Sequence, residues 1–408
     1  MVLFTKKAAQ NERNLNQSDK GTQLRSLFSF CAFHFVDDGF TDSIYLLLPF
    51  IAAEFNLSFT QVGLLKGVFS GAMGLLQVPL SLLAERIGEL MVIGAGTFGL
   101  AGGFLLLSRA HTFPVILLSL IVAKGTAAGQ HGLSSSVLSR VFEASGRRTA
   151  MGTYNFSGDM GKVCLPFLLT LMINLWGWRQ AITTLSIGGF AAGAILWGLA
   201  KEKRNSPRLP EPEVRLSSEE RNWGIRDRTS FLALLTIGVI DISVRTALLT
   251  FLPFLLLRKG IPVTEVGFSL TLLFAGGALG KFACGVLAEW FGIIPMVVGT
   301  EILTAAGILS LTWSPSPWIW FLLPMVGIVL NGTSSVLYAT VAEIIPPASR
   351  SRGYGLYYAV TLGSGAVSPM IFGLITDSLG ISMTIMGTAL MILWTLPLSR
   401  YLSKPEIV

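Results

Sequence analysis

The sequence predicts an all-α integral membrane protein with twelve transmembrane helices in two pseudo-symmetric six-helix bundles. Three observations lead to this prediction. Apolar residues make up 52% of the 408 residues and charged residues only 13%, whereas a soluble domain carries about 25% charged residues. Twelve long apolar runs fill the chain, and one polar segment separates the first six from the last six. The second half also repeats residue patterns of the first half.

Each apolar run is long enough to cross a bilayer as a helix, which takes about 20 mostly apolar residues. Helices are favoured over a β-barrel because the runs are continuous and show no alternation of polar and apolar residues. We number the runs 1 to 12; they lie at about 27–53, 61–84, 90–109, 113–137, 149–175, 178–200, 229–257, 264–288, 293–313, 317–343, 352–377 and 380–402.

The charged segment between runs 6 and 7, "KEKRNSPRLPEPEVRLSSEERNWGIRDR", contains three prolines and is typical of a solvated linker. The three cysteines lie in apolar runs and are expected to be small core residues rather than disulfide partners. No cleavable signal peptide is expected, because run 1 is too long and the chain opens polar and basic. The expected organisation is an N-terminal segment at 1–26, bundles at 27–200 and 229–402, a linker at 201–228 and a tail at 403–408.

Lysine and arginine are distributed unevenly between the two predicted sides of the membrane. The side that holds both termini and the linker carries 21 of them, and the other side carries 4. Basic loops stay in the cytoplasm, so we expect a multi-pass protein of the inner (cytoplasmic) membrane with both termini in the cytoplasm. This asymmetry accounts for the net charge of +7, and no nucleic-acid partner is expected. The protein is expected to be a monomer in the lipid bilayer.

The internal repeat is visible at an offset of 204 residues. "SLLAERIG" at 81–88 is similar to "GVLAEWFG" at 285–292, and "TQVG" at 60–63 is similar to "TEVG" at 264–267. Asp37 matches Asp241 at the same offset. Six is an even number of crossings, so both copies enter the membrane in the same orientation. Parallel repeats of this kind place the substrate site between the halves, near the middle of the membrane.

The repeat and the twelve runs resemble the major facilitator superfamily over nearly the whole chain. The phrase of that family between helices 2 and 3, G-x-L-A-D-R-x-G-R-K, is similar to residues 81–88, and again to 285–292. The resemblance implies a transporter and assigns this phrase to a cytoplasmic conformational latch. The basic pair after the glycine is missing, and Trp290 replaces the arginine of the second copy, which implies a weakened latch. The matching latch residues are Glu85, Arg86, Gly88, Glu289 and Gly292.

A second stretch, "GQHGLSSSVLSRVFEASGRRTAMG" at 129–152, is similar to the helix 4–5 region of fosmidomycin-resistance-type efflux members. Two departures weaken an interpretation as a drug–proton antiporter. The helix 5 pattern G-x-x-x-G-P-x-x-G-G is not met around Pro166. The helix 4 arginine of many proton-coupled members has Lys124 as its nearest counterpart.

Ten charged residues lie within the runs, and inserting each one into a membrane costs roughly 2.5–3.5 kcal/mol. Each is therefore expected to face a cavity or a partner. They lie away from the ends of runs 1, 2, 4, 5, 7 and 8, whereas the only comparable charge in runs 3, 6, 9 and 12, which are peripheral in the family, is Glu301 near the cytoplasmic start of run 9. The charges thus indicate the transport pathway. They are Lys66, Lys124, Lys162, Arg245, Lys281, Asp37, Asp38, Asp42, Asp159 and Asp241.

Two roles are predicted for these residues and their polar neighbours. Adjacent carboxylates within a membrane repel each other, which favours a bound proton, so proton coupling is assigned to the aspartates. The ten charges sum to zero, and protonation of one or two aspartates makes the cavity positive. The residues assigned to proton coupling are Asp37, Asp38, Asp42, Asp159 and Asp241. The residues assigned to substrate binding are Lys124, Lys162, Arg245, Lys281, His34, Gln77 and His131.

The predicted function is secondary active transport of a small organic anion by alternating access, in symport or antiport with protons. The anion is a carboxylate metabolite or a carboxylate-type siderophore. One alternative is a proton-driven efflux pump for amphipathic drugs. Another is a divalent metal transporter, because His34 with Asp37 and Asp38 suits such cations, although the lysines argue against it. The pairs Asp241–Arg245 and Asp159–Lys162 are alternatively ion pairs that hold the bundles together. No enzymatic activity, cofactor or bound metal is expected.

Overall fold

A computed structural model of the chain describes residues 2–142, 146–201, 225, 227–345 and 350–402. The predicted linker lies mostly outside these residues, and the predicted tail at 403–408 lies outside them entirely. All regular secondary structure in the described part is helical. The helices are α1 (Val2–Phe55), α2 (Phe59–Ile87), α3 (Glu89–Ser108), α4 (Phe113–Thr126), α5 (Gln130–Val141), α6 (Arg147–Trp176), α7 (Trp178–Lys201), α8 (Arg228–Arg258), α9 (Val263–Phe291), α10 (Ile293–Trp313), α11 (Ser316–Ile344), α12 (Arg350–Leu379), α13 (Ile381–Ile392) and α14 (Thr395–Ser399).

Eleven helical stretches in the described part of the chain are long and apolar enough to cross a membrane. One of them, Phe113–Val141, combines α4 and α5, and another, Ile381–Ser399, combines α13 and α14. Run 1 lies within α1, where three aspartates interrupt the apolar sequence, so composition alone does not mark it as a span. The helix α1 also begins well before the predicted start of run 1.

The repeated phrase ends a helix in both halves of the chain. Gly88 follows α2 with φ 100° and donates its backbone N–H to the carbonyl oxygen of Ala84. Gly292 follows α9 with φ 85° and donates in the same way to Ala288. Only glycine adopts a positive φ at little cost, because it has no Cβ. The two glycines of the predicted latch therefore stop a helix and turn the chain into the next one.

Each half packs around equivalent helices. In the first half α1 packs against α6, and α3 packs against α4 and α7. In the second half α8 packs against α12, and α10 packs against α11 and α13. The two most extensive contacts between the halves are those of α2 with α12 and of α6 with α9, and smaller ones join α1 to α8 and α9 and α2 to α8. The core includes large apolar side chains that are 1% exposed or less, such as Phe40, Phe69 and Phe251.

The helices α2 and α12 touch at one end and separate toward the other. We call the end at which α7 ends and α8 begins the linker end, and the opposite end, where α2 begins, the far end. A Cβ added at Gly63 overlaps the carbonyl oxygen of Pro369. A Cβ added at Gly67 lies 2.6 Å from the carbonyl oxygen of Ala366, and one added at Gly71 lies 3.8 Å from the Cβ of Ala366. The halves are therefore in contact at the far end and diverge toward the linker end.

Hydrogen bonds between the halves also lie at the far end. Asp377 of α12 accepts the backbone N–H groups of Phe59 and Thr60, both at 2.8 Å, and the hydroxyl of Thr60 at 2.6 Å. Asn174 of α6 donates to the carbonyl oxygen of Thr264 in α9, at 3.3 Å. Together with the close glycine contacts, these bonds close the far end.

Candidate functional site

A cavity of about 230 Å³ lies between the two halves. Its lining comes from α1, α2, α4 and α6 of the first half and from α8, α9, α11 and α12 of the second. Within the described chain, α3, α7, α10 and α13 contribute nothing to this lining, which matches the peripheral position expected for runs 3, 6, 9 and 12. All five basic residues found within the apolar runs line the cavity: Lys66, Lys124, Lys162, Arg245 and Lys281.

Four of the seven residues predicted to bind substrate thus line the cavity, and the other three do not. His34 and His131 lie behind the lining, against Asp37 and Asp38. Gln77 lies beside α5, where its Nε2 is 3.9 Å from a Cβ added at Gly132. Of the five predicted proton-coupling residues, Asp42 and Asp159 line the cavity; Asp37, Asp38 and Asp241 are buried, at 3%, 5% and 2% exposure.

Two lysines of the lining neutralise the adjacent aspartates of α1. Lys124 Nζ lies 3.1 Å from Asp37 Oδ2 and donates to the hydroxyl of Thr41 at 2.7 Å. Lys162 Nζ lies 3.0 Å from Asp38 Oδ2. The two carboxylates point to different lysines, on α4 and α6. The repulsion expected between them is therefore offset by two ammonium groups.

His131 lies between the same two aspartates. Its Nε2 is 3.3 Å from Asp37 Oδ2 and 3.4 Å from Asp38 Oδ1. A single Nε2–H group makes a full hydrogen bond to only one carboxylate at a time. His131 is therefore shared between Asp37 and Asp38. The His131 side chain is 31% exposed, compared with 4% and 7% for the two aspartates, which makes it their most accessible partner.

His34 makes a contact that becomes a hydrogen bond only with an additional proton. Its Nδ1 lies 2.8 Å from the backbone carbonyl oxygen of Tyr154, which can only accept, so Nδ1 carries a hydrogen. Its Nε2 lies 3.3 Å from Asp38 Oδ2. A neutral imidazole has one N–H, so a hydrogen bond between Nε2 and the carboxyl needs a second proton, on His34 or on Asp38. The Tyr154 ring stacks on the imidazole at 4.0 Å between centroids and holds it in this orientation.

The network continues from the first half of the chain into the second. Asp159 Oδ1 lies 3.4 Å from Lys162 Nζ of its own helix and 2.6 Å from Lys281 Nζ of α9. Carboxylates therefore alternate with lysines and one imidazole through the site, which reaches from α4 to α9. The order of the contacts is Lys124, Asp37, His131, Asp38, Lys162, Asp159 and Lys281.

Lys66 lines the cavity without a carboxylate partner among the residues that the structure describes. It is 5% exposed and donates to the hydroxyl of Ser70 at 2.7 Å. Its Nζ also lies 4.8 Å from the ring centroid of Tyr45, a favourable position for a cation. An ammonium group whose direct contacts in the described chain are a hydroxyl and aromatic rings is well placed to receive an anion.

Arg245 is the second cation of the lining that makes no ion pair within the described residues. It donates to Ser334 Oγ at 2.9 Å and is 3.5 Å from Asn331 Oδ1. The four-residue spacing predicted a pair with Asp241, but the guanidinium turns toward α11 instead. Asp241 likewise makes no ion pair in the described chain. Between Asp159 and Lys162, by contrast, the predicted contact is present.

Several residues of the lining were not assigned from the sequence. Lys66 is one of the ten membrane charges, but the sequence assigns it neither role. Tyr45, Ser70 and Asn331 also line the cavity. Single uncharged polar residues are common in membrane helices, so nothing in the sequence distinguishes these from polar residues that merely bond their own backbone.

One group of side chains offers the ligand atoms that a metal ion needs. His34, Asp38 and His131 each present one such atom, and these atoms lie within 4.8 Å of one another. Imidazole and carboxylate suit divalent transition metals. However, Lys162 already contacts Asp38 at 3.0 Å and would repel a cation there. The arrangement is better suited to holding a proton.

The residues of the predicted latch lie at the linker end. Glu85, Arg86 and Glu289 are exposed, and within the described chain none of them makes an ion pair. The helices α2 and α12 have separated at this end. A latch role for these residues stays a prediction.

Comparisons with known proteins agree with the fold. The family model described as Major Facilitator Superfamily matches residues 30–255 and 234–407. The Fosmidomycin resistance protein of Escherichia coli (strain K12) is 21% identical over 355 residues, which cover 86% of this chain and 86% of that protein. The Probable L-galactonate transporter of the same organism is 25% identical over 253 residues, which cover 59% of this chain and 56% of that protein.

Solved structures show the same architecture. A bacterial homolog to the human lysosomal transporter Spinster, in an inward-facing and occupied conformation, has a TM-score of 0.78 at 16% identity and covers 92% of this chain and 96% of that chain. A variant of the nucleoside transporter NupG has a TM-score of 0.75 at 14% identity, with 94% and 99% covered. The chain therefore belongs to the Major Facilitator Superfamily and is a multi-pass membrane transporter rather than an enzyme.

Proposed function

We propose that this transporter moves a small organic anion across the inner membrane and couples that movement to protons. One observation carries the proposal: five cations line the cavity between the halves, and two of them, Lys66 and Arg245, make no ion pair within the described chain. Charges inside a membrane need partners. A substrate carboxylate supplies the partner that these two cations lack.

The size of the cavity supports a metabolite as the anion. Its volume is about 230 Å³, below the roughly 300–1,000 Å³ of pockets that take drug-sized ligands. This favours a carboxylate metabolite over a siderophore or an amphipathic drug. The relative named as a probable L-galactonate transporter points the same way, because galactonate is a small sugar carboxylate.

Proton coupling is supported by the contact between His34 and Asp38, which needs one more proton than a neutral imidazole and a carboxylate supply. In this proposal the proton lies between His34 and Asp38, one contact away from Lys162. Its loss would leave Nε2 of His34 facing a carboxylate without a hydrogen between them. Gain and loss of this proton therefore change the charge next to the cavity.

Alternating access is supported by the asymmetry between the two ends. The far end is closed by Asp377 and the glycine contacts of α2, and the halves diverge toward the linker end. With the linker end in the cytoplasm, as the basic residues predict, this is an inward-facing state. In this proposal the bundles at 27–200 and 229–402 rock against each other around the cavity.

The test is a stability and uptake experiment on the purified full chain. Galactonate, succinate and citrate are added separately, because a ligand that binds the folded state raises its apparent stability. Any anion that raises the unfolding temperature is then followed into proteoliposomes with and without an imposed pH gradient. We expect at least one of them to stabilise the protein and to accumulate faster with the gradient.

Two variants provide the matched comparison. Arg245→Gln removes a cation of the lining and is expected to abolish the thermal shift. Arg109→Gln removes an exposed arginine that does not line the cavity and is expected to leave the shift intact. Stabilisation by cationic amphipathic drugs and by none of the anions would refute the proposal.

A further inference from the structure

We propose that Asp159 is an internal substitute for the substrate's carboxylate. It pairs with Lys281 in the empty transporter, and the carboxylate of the substrate displaces it from Lys281. The inference rests on the proposed function and adds the residue that competes with the anion. It concerns an ion pair that lies in the cavity and joins the two halves of the chain.

The geometry of Asp159 is that of a bound carboxylate. Its Oδ1 lies 2.6 Å from Lys281 Nζ, the shortest ion-pair distance within the cavity, and 3.4 Å from Lys162 Nζ. All three residues line the cavity. Asp159 is 13% exposed and Lys281 is 32% exposed, so a ligand in the cavity can approach the ammonium group that the aspartate occupies.

In this exchange the substrate anion takes Lys281 as a further partner, besides the two cations of the lining that make no ion pair within the described chain. Lys281 belongs to the second half and Asp159 to the first, so their ion pair holds α6 and α9 together across the cavity. When a substrate carboxylate takes Lys281, Asp159 keeps Lys162, which is three residues away on its own helix. Asp159 is then not left without an ion pair in the membrane. The direct link between the halves is replaced by a link through the substrate.

This exchange allows the empty transporter to discriminate against ligands that carry no negative charge. A neutral molecule cannot displace Asp159, because it offers Lys281 no charge in return. A carboxylate can, since the exchange swaps one charge-assisted contact for another. Asp159 therefore selects for a negatively charged substrate. It also makes the loss of the direct ion pair between the halves depend on substrate binding.

The test compares two neutral variants of cavity aspartates in the same binding experiment. Asp159→Asn removes the competing carboxylate, and Asp42→Asn removes an equal charge from a residue that lines the same cavity but makes no ion pair in the described chain. The probe is whichever of galactonate, succinate and citrate shifts the wild type most. We expect Asp159→Asn to lower the Kd by roughly tenfold or more, given what a hydrogen bond to a charged group contributes, and Asp42→Asn to lower it much less.

A double variant shows whether the effect passes through Lys281. In a Lys281→Gln background, Asp159→Asn is expected to bring no further tightening, because its competitor role is gone. Asp159→Ser serves as a second neutral variant if Asp159→Asn does not fold. The inference is overturned if Asp159→Asn and Asp42→Asn lower the Kd equally, or if Asp159→Asn still lowers the Kd in the Lys281→Gln background. The proposed function stands in either case. Absence of any anion binding by the wild type overturns the proposed function itself.

Discussion

Asp377 of α12 and Thr60 of α2 hold the two halves together at the far end. The carboxylate accepts both the backbone N–H and the hydroxyl of Thr60, and it also accepts the N–H of Phe59. The first N–H groups of a helix have no partner within the helix, and this end of the helix carries a partial positive charge. The aspartate of one half therefore caps a helix of the other.

Replacing this carboxylate is expected to loosen the far end. Asp377→Asn keeps the shape but removes the charge, and hydrogen bonds to charged groups contribute more than neutral ones by about 1 kcal/mol or more. We expect the ratio of closed to open far ends to fall by roughly tenfold. The measurement is the distance between labels at Ala53 and Arg258, which are exposed and lie at the far ends of α1 and α8.

The control for this variant is Ser378→Ala. Ser378 is the next residue on α12, and its hydroxyl bonds only to carbonyl oxygens of its own helix. It should leave the label distances unchanged. Equal distributions for Asp377→Asn and the wild type would show that the cap does not hold the far end closed.

The close approach of α2 and α12 leads to a second prediction. Gly63→Ala places a Cβ against the carbonyl oxygen of Pro369, where the backbone cannot yield easily, whereas Gly71→Ala places one at an ordinary 3.8 Å from Ala366. We expect Gly63→Ala to shift the same label distances toward an open far end, and Gly71→Ala to leave them as in the wild type. A closed far end in both variants would contradict this packing.

The fold could be predicted because membrane insertion leaves plain traces in the sequence. The apolar runs predict the helices, and a charged residue within such a run is easily recognised. All five cations of the cavity can therefore be identified from the sequence. Contacts between distant residues left no such trace. The hydrogen bond of His34 to the backbone of Tyr154 joins residues 120 positions apart. The four-residue spacing suggests a pair between Asp241 and Arg245, but the guanidinium contacts Ser334 and Asn331 on α11 instead.

The contact of His34 with Asp38 leads to a prediction about coupling. Asp38→Asn and His34→Gln both remove one partner of the shared proton. We expect each variant to lose anion uptake driven by a pH gradient but to retain exchange between two substrate pools, which needs no net proton movement. Asp37→Asn should behave in the same way, because Asp37 shares His131 with Asp38.

The matched control for these variants is His111→Gln, which removes an exposed histidine of the far end. It should keep both activities. Gradient-driven uptake at the wild-type rate in Asp38→Asn and in His34→Gln would place the proton carrier elsewhere, with Asp159 and Asp241 as the next residues to test.

Glu301 of α10 is a buried carboxyl that no part of the cavity uses. It is fully buried, and neither of its carboxyl oxygens has a hydrogen-bond partner in the described chain. An ionised group in this position is too costly, so the side chain is neutral. We expect Glu301→Gln to change the free energy of unfolding by about 1 kcal/mol or less, because it exchanges one neutral buried polar group for another of similar shape. Destabilisation by several kcal/mol in a thermal unfolding experiment would show that Glu301 is ionised and paired.

A last prediction concerns the ends of α1, α3 and α7. Arg179 of α7 donates to the Glu54 carboxylate, with Nη2 at 2.6 Å from Oε1, and to the carbonyl oxygens of Ser108 and Ala110, at 2.7 Å and 2.6 Å. Glu54 follows run 1 at the far end, outside the membrane-spanning residues. The hydrogen bonds from Arg179 hold the pKa of Glu54 below its ordinary value of 4.5.

Because this pKa is lowered on folding, the pair stabilises the protein above pH 4.5, and the contribution is lost as the pH falls through the lower folded value. Glu54→Gln is therefore expected to be less stable than the wild type at pH 7, and the difference should shrink as the pH is lowered below 4.5. Arg179→Lys removes the guanidinium group, which donates from several nitrogens at once. It is expected to lower the free energy of unfolding by about 1 kcal/mol for each hydrogen bond to a carbonyl oxygen that is lost, at any pH. The measurement is thermal unfolding in detergent from pH 7 to pH 3. A constant difference between Glu54→Gln and the wild type over that range would mean that the carboxylate of Glu54 does not stabilise the fold through Arg179.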